Sequence, residues 1–191
     1  MSTLTKKEQT HLRILDTAAR LIRQQGFEAL SVGVLMKESG LTHGGFYAHF
    51  VNRDALLAEA LAHARCQSAE QLQTELSALV RQGQAPLQAF IELYLSEAHL
   101  SAAKQGEGCP LSALGSELFR LTSEGRVIAQ DCIEGFVGLL QQLQPSLAKE
   151  QAFALFASLM GVVQLTRSMP DPQQAHSYLT ASRNQLQQQY L

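Results

Sequence analysis

The segment that decides the fold is Ser31-Val-Gly-Val-Leu-Met-Lys-Glu-Ser-Gly-Leu-Thr-His-Gly-Gly-Phe-Tyr-Ala-His-Phe50. It predicts two short helices joined by a tight turn around Gly40, which can adopt the left-handed conformation that the reversal needs. The large apolar side chains of the segment can all point back onto a preceding helix; they are Leu35, Leu41, Phe46 and Phe50. This is the helix-turn-helix arrangement, in which the second helix lies in the major groove of DNA.

The exposed face of the second short helix carries the candidate DNA contacts. These contacts are Thr42, His43, Gly44, Gly45, Tyr47 and His49. Because a glycine inside a helix costs about 1 kcal/mol, two of them indicate that a DNA backbone or base edge approaches closely. The alternative is a glycine-rich corner between two helices that binds no ligand.

The rest of the chain also predicts helices, about nine in all, because apolar residues recur at spacings of three and four without strict alternation. The first helix is predicted from Lys6 to Gln25, with Gly26 as its stop. A long helix capped by Asn52 is predicted to run to about Leu79. Further helices are predicted from Pro86 through Ala98, over 110–119 and 123–143, after Pro145 and after Asp171, with a loop at 101–108.

Composition excludes several classes of protein. The chain has 191 residues, of which 46% are hydrophobic and 17% charged, which is typical of a globular protein and not of a disordered one. Its three widely spaced cysteines fit neither a disulfide framework nor a zinc site. The polar N-terminus and the lack of an apolar run of about 20 residues predict a soluble, cytoplasmic protein without a signal peptide or membrane segment.

Charge and motifs favour a binding protein over an enzyme. Residues 1–54 carry seven Lys and Arg against five Asp and Glu, whereas residues 55–191 carry eight against twelve, so the N-terminal part is the one suited to an anion. No Gly-x-Ser-x-Gly, His-Glu-x-x-His or Walker motif is present, so we expect no enzyme, no cofactor and no metal. The alternative is a helical small-molecule carrier or sensor without specific DNA binding. This alternative does not explain the sequence pattern of residues 31–54.

Small, aromatic and charged residues fall in one specific register between the second and fourth predicted helices. The register comprises Ser31-Val32, then Ser39-Gly-Leu-Thr-His-Gly-Gly-Phe-Tyr-Ala-His-Phe50, then Asn52-Arg53-Asp54 and Leu56. In this register the chain resembles the tetracycline-repressor (TetR) family of bacterial transcription regulators. The departures are Met36 where the family usually has Ala, Gly33 inside the second helix, and Arg53 where Lys is usual.

The resemblance implies a role for each matched side chain. Thr42 would cap the recognition helix and reach a phosphate, and Tyr47, His49 and Arg53 would contact other phosphates, which position the protein without specifying sequence. His43, with the backbone at Gly44 and Gly45, would read base edges. Ser31, at the start of the second helix, joins the DNA-contacting set. For Lys6, Lys7 and His11, both a flexible DNA-binding arm and a solvated helix start remain open.

The resemblance also divides the chain into a DNA-binding domain at 1–51 and a ligand-binding and dimerisation domain at 52–191. It implies a homodimeric repressor that binds a palindromic operator in double-stranded DNA and is released by a small apolar or electrophilic inducer. The last two helices would form the dimer through Ala152, Leu155, Ala157, Leu159, Gly161, Tyr178 and Leu186. The candidate pocket residues, each of which also fits a plain core role, are Phe90, Tyr94, His99, Phe119, Phe136, Met160 and Gln164.

Cys109 is a candidate thiol sensor. Gly108-Cys109-Pro110 places the thiol at a helix N-cap, because proline marks the first helical position. Backbone amides at such a position can lower a thiol pKa below about 8.5. The alternative is a small half-buried residue that fills a loop, and Cys66 and Cys132 are predicted to be core residues.

Overall fold

A computed structural model describes residues 4–191 of the chain, so the first three residues of the polar N-terminus lie outside the described part. Within that part the regular structure is helical throughout, which confirms the predicted all-α class. The α-helices are α1 (Lys6–Ala29), α2 (Val32–Glu38), α3 (Arg53–Arg81), α4 (Pro86–Tyr94), α5 (Glu97–Gln105), α6 (Pro110–Leu114), α7 (Ser123–Leu143), α8 (Lys149–Arg167) and α9 (Pro172–Tyr190). Two 3₁₀ helices are also present: His43–Ala48, which we call the recognition segment, and Leu118–Arg120.

Local capping fixes where the N-terminal helices begin. Thr5 and Glu8 form a reciprocal capping box at the start of α1. The Ser31 hydroxyl accepts the Val34 N–H at the start of α2, and the Asn52 side chain accepts the Ala55 N–H at the start of α3. Gly26, the predicted stop of α1, has φ +83° and ψ 174°, so it breaks the helical path although one further helical turn follows it.

One buried cluster holds the N-terminal helices together. Ile14 of α1, Leu35 of α2, Phe46 of the recognition segment and Leu56 of α3 all contribute fully buried side chains to it. The second half of α3 leaves this cluster and packs Leu76 into a second one instead. A single helix therefore spans both parts of the core.

The second cluster is formed by the C-terminal helices around buried aromatic residues. Phe90 and Tyr94 of α4 meet Phe156 and Leu159 of α8, and α7 and α9 close the bundle. Among the described helices, none is both long and apolar enough to cross a membrane.

The structure corrects the sequence-based prediction between residues 86 and 108. The predicted single helix ends at Tyr94, and a new helix, α5, occupies most of the predicted loop. The cause is Ser96, whose hydroxyl accepts the His99 N–H and caps α5. Gly106, with φ +80°, then ends α5 in the left-handed conformation.

Candidate DNA interface and ligand cavity

The recognition segment is anchored by its aromatic residues. Phe46 is buried under the segment, at 5.5 Å between ring centroids from Phe50 and edge-on to Tyr47 at 5.3 Å. The Phe50 ring in turn stacks on His11 of α1 at 4.7 Å. These contacts fix which face of the segment points outward.

The outward face carries polar groups and glycines. Thr42, His43 and Gly44 are exposed, and the Tyr47 side chain is 68% exposed. Thr42 occupies the N-cap position, but its hydroxyl forms no capping hydrogen bond, so the predicted capping role is wrong for this threonine. Ser31 is exposed as well, but its hydroxyl is already engaged by the Val34 N–H.

The two glycines of the recognition segment leave open space beside its backbone. A Cβ atom at Gly44 would meet no atom within 4 Å, and one at Gly45 would only touch the Met36 and Thr42 side chains at 3.6 and 3.7 Å. Intramolecular packing therefore does not explain Gly44. The open surface is compatible with close approach of a DNA strand.

His49 is less accessible than predicted. The residue is half-buried, and its Nδ1 is enclosed without a hydrogen-bond partner in the described part of the chain, so only Nε2 remains to face a phosphate. Burial, followed by the nearby His11 and Lys7 charges, lowers the pKa of His49, which favours the neutral imidazole. The phosphate contact remains a prediction, with a neutral N–H as its donor.

Of the two alternatives for Lys6, Lys7 and His11, the flexible arm is wrong, because these residues belong to α1. Lys6 and Lys7 lie exposed in the first turn of that helix. His11 is fixed by the Phe50 ring and by its Nε2, which lies 3.0 Å from a carboxylate oxygen of Glu59 on α3. A solvated helix start is the correct alternative for the two lysines.

Arg53 has internal partners instead of a free guanidinium. Its Nε donates to the Leu30 carbonyl oxygen at 2.9 Å, and its Nη2 donates to the Phe27 carbonyl oxygen. These bonds tie the start of α3 to the turn between α1 and α2. A phosphate contact by Arg53 stays a prediction, and the structure adds a positioning role that the sequence did not indicate.

A cavity of about 250 Å³ lies between α3, α4, α5, α7 and the loop before α6. Three of the predicted pocket residues, Tyr94, His99 and Phe136, line it, and so does Cys109. The candidate pocket residues included none from α3, because no motif marks which of its side chains face the cavity. The other main lining residues are Ser68, Gln71, Leu72, Glu75, Leu93, Ala98, Ala102 and Gly108.

Four predicted pocket residues lie elsewhere. Phe90 is buried in the core behind Tyr94, with 5.7 Å between their ring centroids. Met160 and Gln164 pack against Gly115 and not against the cavity. Phe119 is exposed, with the Arg120 guanidinium 5.3 Å from its ring centroid. The alternative core role is correct for Phe90, whereas Phe119 has neither role because its short 3₁₀ helix faces solvent.

His99 is held in one neutral form at the cavity wall. Its Nδ1 lies 2.7 Å from the Tyr94 carbonyl oxygen, so this nitrogen carries the hydrogen, and its Nε2 accepts the Cys109 N–H at 3.3 Å. Burial lowers the pKa of His99 to about 4. The imidazole is therefore uncharged at neutral pH.

This lowered pKa predicts a specific acid sensitivity. In the unfolded chain His99 has its ordinary pKa of about 6.5, whereas in the folded protein its pKa is about 4. Between these two pH values the unfolded chain binds a proton at His99 and the folded protein does not, so the free energy of unfolding falls as the pH drops from 6.5 towards 4. Between pH 6.5 and 4.5 we expect the free energy of unfolding to fall by roughly 2 kcal/mol more in the native protein than in His99→Gln. Urea denaturation at both pH values measures this difference. The exposed-histidine control His43→Gln is expected to follow the native protein, and equal losses in His99→Gln would contradict the assignment.

The expected lowering of the Cys109 pKa is wrong. Cys109 does occupy the N-cap of α6, but it is buried, and this burial raises the pKa of its thiol. Desolvation outweighs the backbone amides because protein atoms enclose almost the whole residue. Cys132 is buried as predicted, whereas Cys66 is exposed and not a core residue.

The residues predicted to form the dimer separate into two groups. Ala152, Leu155, Leu159 and Leu186 are buried within the chain itself, so they cannot supply a contact surface. Exposed apolar residues instead form a row at four-residue spacing along α8, which continues on α9. On α8 the row comprises Phe153, Ala157, Gly161 and Leu165, of which Gly161 is half-buried, and on α9 it comprises Tyr178.

The N-terminal helices match a known family of regulators. Residues 14–60 match the family model described as bacterial regulatory proteins, tetR family. A 61-residue stretch is 41% identical to the HTH-type transcriptional regulator AcrR of Shigella flexneri, covering 31% of this chain and 28% of that protein. A 48-residue stretch is 40% identical to the uncharacterized HTH-type regulator YerO of Bacillus subtilis (strain 168), covering 25% and 17%. The chain thus aligns with less than a third of the length of these curated relatives.

The whole fold matches solved structures of the same kind. A TetR-family regulator from Cytophaga hutchinsonii superposes with a TM-score of 0.79 at 18% identity over 97% of both chains. A TetR regulator from Chloroflexus aurantiacus gives 0.77 at 20% identity, covering 96% of this chain and 94% of that one. The reduced form of NemR from E. coli gives 0.73 at 20% identity, covering 94% and 96%.

Fold and surface together define a helix-turn-helix protein with a helical C-terminal domain. The sequence match shows that residues 14–60 are similar to bacterial regulatory proteins of the tetR family, and the fold of the whole chain is similar to solved TetR-family structures. Among the described residues, no group of three or more His, Cys, Asp or Glu side chains could hold a metal ion.

Proposed function

We propose that the protein is a homodimeric repressor that acts in the cytoplasm, binds a palindromic operator and is released from it by a small apolar molecule. The observation that carries the proposal is the recognition segment, whose aromatic anchors are buried while His43, Gly44 and Tyr47 face outward. Such an outward face, on the part of the chain with excess positive charge, is suited to a major groove.

The proposed DNA-binding domain comprises residues 1–51, with α3 as its connection to residues 52–191. Thr42 and Tyr47 contact phosphates, and His43 reads a base edge next to Gly44. His49 and Arg53 assist in positioning, His49 through its Nε2 and Arg53 through the bonds that fix the start of α3.

The exposed row on α8 and α9 supports dimerisation through these two helices. Phe153 is 54% exposed, Leu165 is 67% exposed and Tyr178 is 51% exposed, which is unusual for large apolar side chains that align on one face. Ala157 and Gly161 between them allow a partner helix to approach closely. Two copies would then read two half-sites about 34–36 Å apart.

The cavity supports release by a ligand. Its size fits a small molecule, and its walls combine apolar and aromatic side chains such as Leu72, Leu93 and Phe136 with a few polar groups. Because α3 lines the cavity and begins at the DNA-binding domain, a ligand that tilts α3 changes the separation of the recognition segments. We favour a non-covalent apolar effector over an electrophilic one, because burial and a raised pKa disfavour the Cys109 thiolate.

The decisive experiment is selection of bound duplexes from a random DNA pool, followed by binding measurements at several salt concentrations. The proposal expects a palindrome to be enriched and affinity to fall steeply with salt. Binding of small molecules with no selected sequence would instead favour the alternative, a helical carrier or sensor, which the cavity alone also supports.

The division between positioning and sequence reading gives a prediction of its own. Tyr47→Phe removes only a hydroxyl that faces phosphate, so it is expected to weaken binding to every duplex alike and to lower the salt slope by about one unit or less. His43→Ala is expected to relax preference at particular base pairs, by about 1–3 kcal/mol in discrimination. Repeating the selection with both variants measures this, and altered base preference in Tyr47→Phe but not in His43→Ala would contradict the division.

A further inference from the structure

Arg23 of α1 is a buried charged residue that joins three parts of the molecule. Its Nη1 donates to Gln67 Oε1 at 3.0 Å and to the Gly106 carbonyl oxygen at 3.2 Å. Its Nη2 donates to the Ala64 carbonyl oxygen at 2.5 Å and to Ser68 Oγ at 3.3 Å. One guanidinium therefore connects α1 to α3 and connects both helices to residues 106–109, which we call the cavity loop.

The cavity loop is also part of the cavity wall. Ser68 Oγ lies 2.6 Å from the Gly108 carbonyl oxygen, and the Cys109 N–H donates to His99 Nε2 at 3.3 Å. All four of these residues line the cavity. The same short loop thus faces a ligand on one side and Arg23 on the other.

The contact between the cavity loop and α1 leaves no free space. Gly106 has φ +80°, and a Cβ atom there would come within 3.1 Å of the Arg20 carbonyl oxygen and 3.2 Å of Arg20 Cα. A second contact lies beyond α6, where the Glu117 carboxylate accepts the Phe27 N–H at 2.8 Å. Because backbone meets backbone at Gly106, a displacement of the loop must move α1 or break its bonds to Arg23.

We propose that Arg23 transmits occupation of the cavity to the DNA-binding domain. A ligand that separates Ser68 from Gly108 removes the Gly106 carbonyl from Arg23 and so loosens the hold of the cavity loop on α1. This proposal rests on the proposed function and goes beyond a tilt of α3. Since Arg23 holds α1, α3 and the cavity loop together, α3 cannot move relative to α5 while all of its hydrogen bonds persist.

The first test needs no DNA and uses Ala102→Phe, in which an added ring occupies the cavity. Ala102 is half-buried in the cavity wall, so its Cβ can direct a ring inward. Hydrogen exchange of backbone amides is expected to accelerate at least about tenfold at 106–109 and at 19–27, with α9 unchanged. Faster exchange in the cavity loop without any change in α1 would overturn the proposal.

The second test is a double-mutant cycle on operator affinity. Ala102→Phe is expected to weaken binding about tenfold in the native background but less than about twofold in Arg23→Met, where the connection is already lost. The matched control is Arg167→Met. Arg167 is a second largely buried arginine, and the three carbonyl oxygens to which it donates, those of Leu100, Ser112 and His99, all belong to α5 and α6.

In the Arg167→Met background the tenfold effect is expected to persist. Equal losses in the Arg23→Met and native backgrounds would overturn the proposal. If Arg23→Met does not fold, Ser68→Ala replaces it, because it removes only the hydroxyl that meets Gly108 and Arg23. Should the native protein bind no operator, the proposed function fails, whereas the exchange experiment still decides the role of Arg23 when it is repeated in Arg23→Met, where Ala102→Phe is expected to accelerate exchange at 106–109 but no longer at 19–27.

Discussion

Replacing both Phe153 and Leu165 with glutamate is expected to produce monomers and to weaken operator binding by at least about 100-fold. Both side chains are large, apolar and more than half exposed on α8. In a dimer, the glutamates would be buried without partners, which costs several kcal/mol. The monomer would then lose the gain in affinity that comes from binding two half-sites at once.

Sedimentation velocity gives the oligomeric state, and titration of the selected duplex gives the affinity. The matched control is Phe119→Glu, which replaces an exposed aromatic residue away from α8 and α9. It is expected to remain dimeric and to bind normally. A doubly substituted protein that stays dimeric would place the interface on another surface.

Gly106→Ala is expected to lower the free energy of unfolding by roughly 3 kcal/mol, the sum of backbone strain and overpacking. The φ angle of +80° disfavours any Cβ atom, and that atom would also press against the Arg20 backbone. Gly83→Ala isolates the first effect, because Gly83 has φ +95° but no atom within 4 Å of its Cβ position. We expect a loss of only about 1–2 kcal/mol there.

Denaturant unfolding of both variants measures the difference between them. Equal losses of unfolding free energy in the two variants would show that the cavity loop can move away from α1 at little cost. The close contact at Gly106 would then contribute nothing to stability. The operator affinity of folded Gly106→Ala is also expected to fall, because the added methyl group pushes α1 and the loop apart.

The features that follow local rules could be predicted from the sequence. Ser31 and Asn52 cap helices where expected, and Pro86 begins one, because each acts on backbone groups within three residues. The burial of Phe46 and Phe50 likewise follows from their spacing within one short segment. Ser96 is a cap of the same type, so the break between α4 and α5 also follows a local rule.

The features that depend on distant contacts could not be predicted in the same way. Cys109 carries the local signature of an activated thiol, but helices from elsewhere in the chain bury it and reverse the direction of its pKa shift. Arg53 has a charge that suits a phosphate, but its carbonyl partners lie more than 20 residues earlier. The burial of Arg23 is indicated by the sequence in one respect: this charged residue adjoins the apolar stripe of α1 that contains Ala19 and Ile22.

The separation of buried and exposed residues in the recognition segment has a consequence for protein engineering. Stability of the segment resides in Phe46 and Phe50, whereas His43, Gly44 and Tyr47 project outward and support little of the core. A library that varies Thr42, His43 and Gly44 should therefore retain folded members at high frequency. If the proposed function holds, such a library would allow the proposed ligand response to be redirected to new promoters in genetic circuits, without redesign of the cavity or of the helices that surround it.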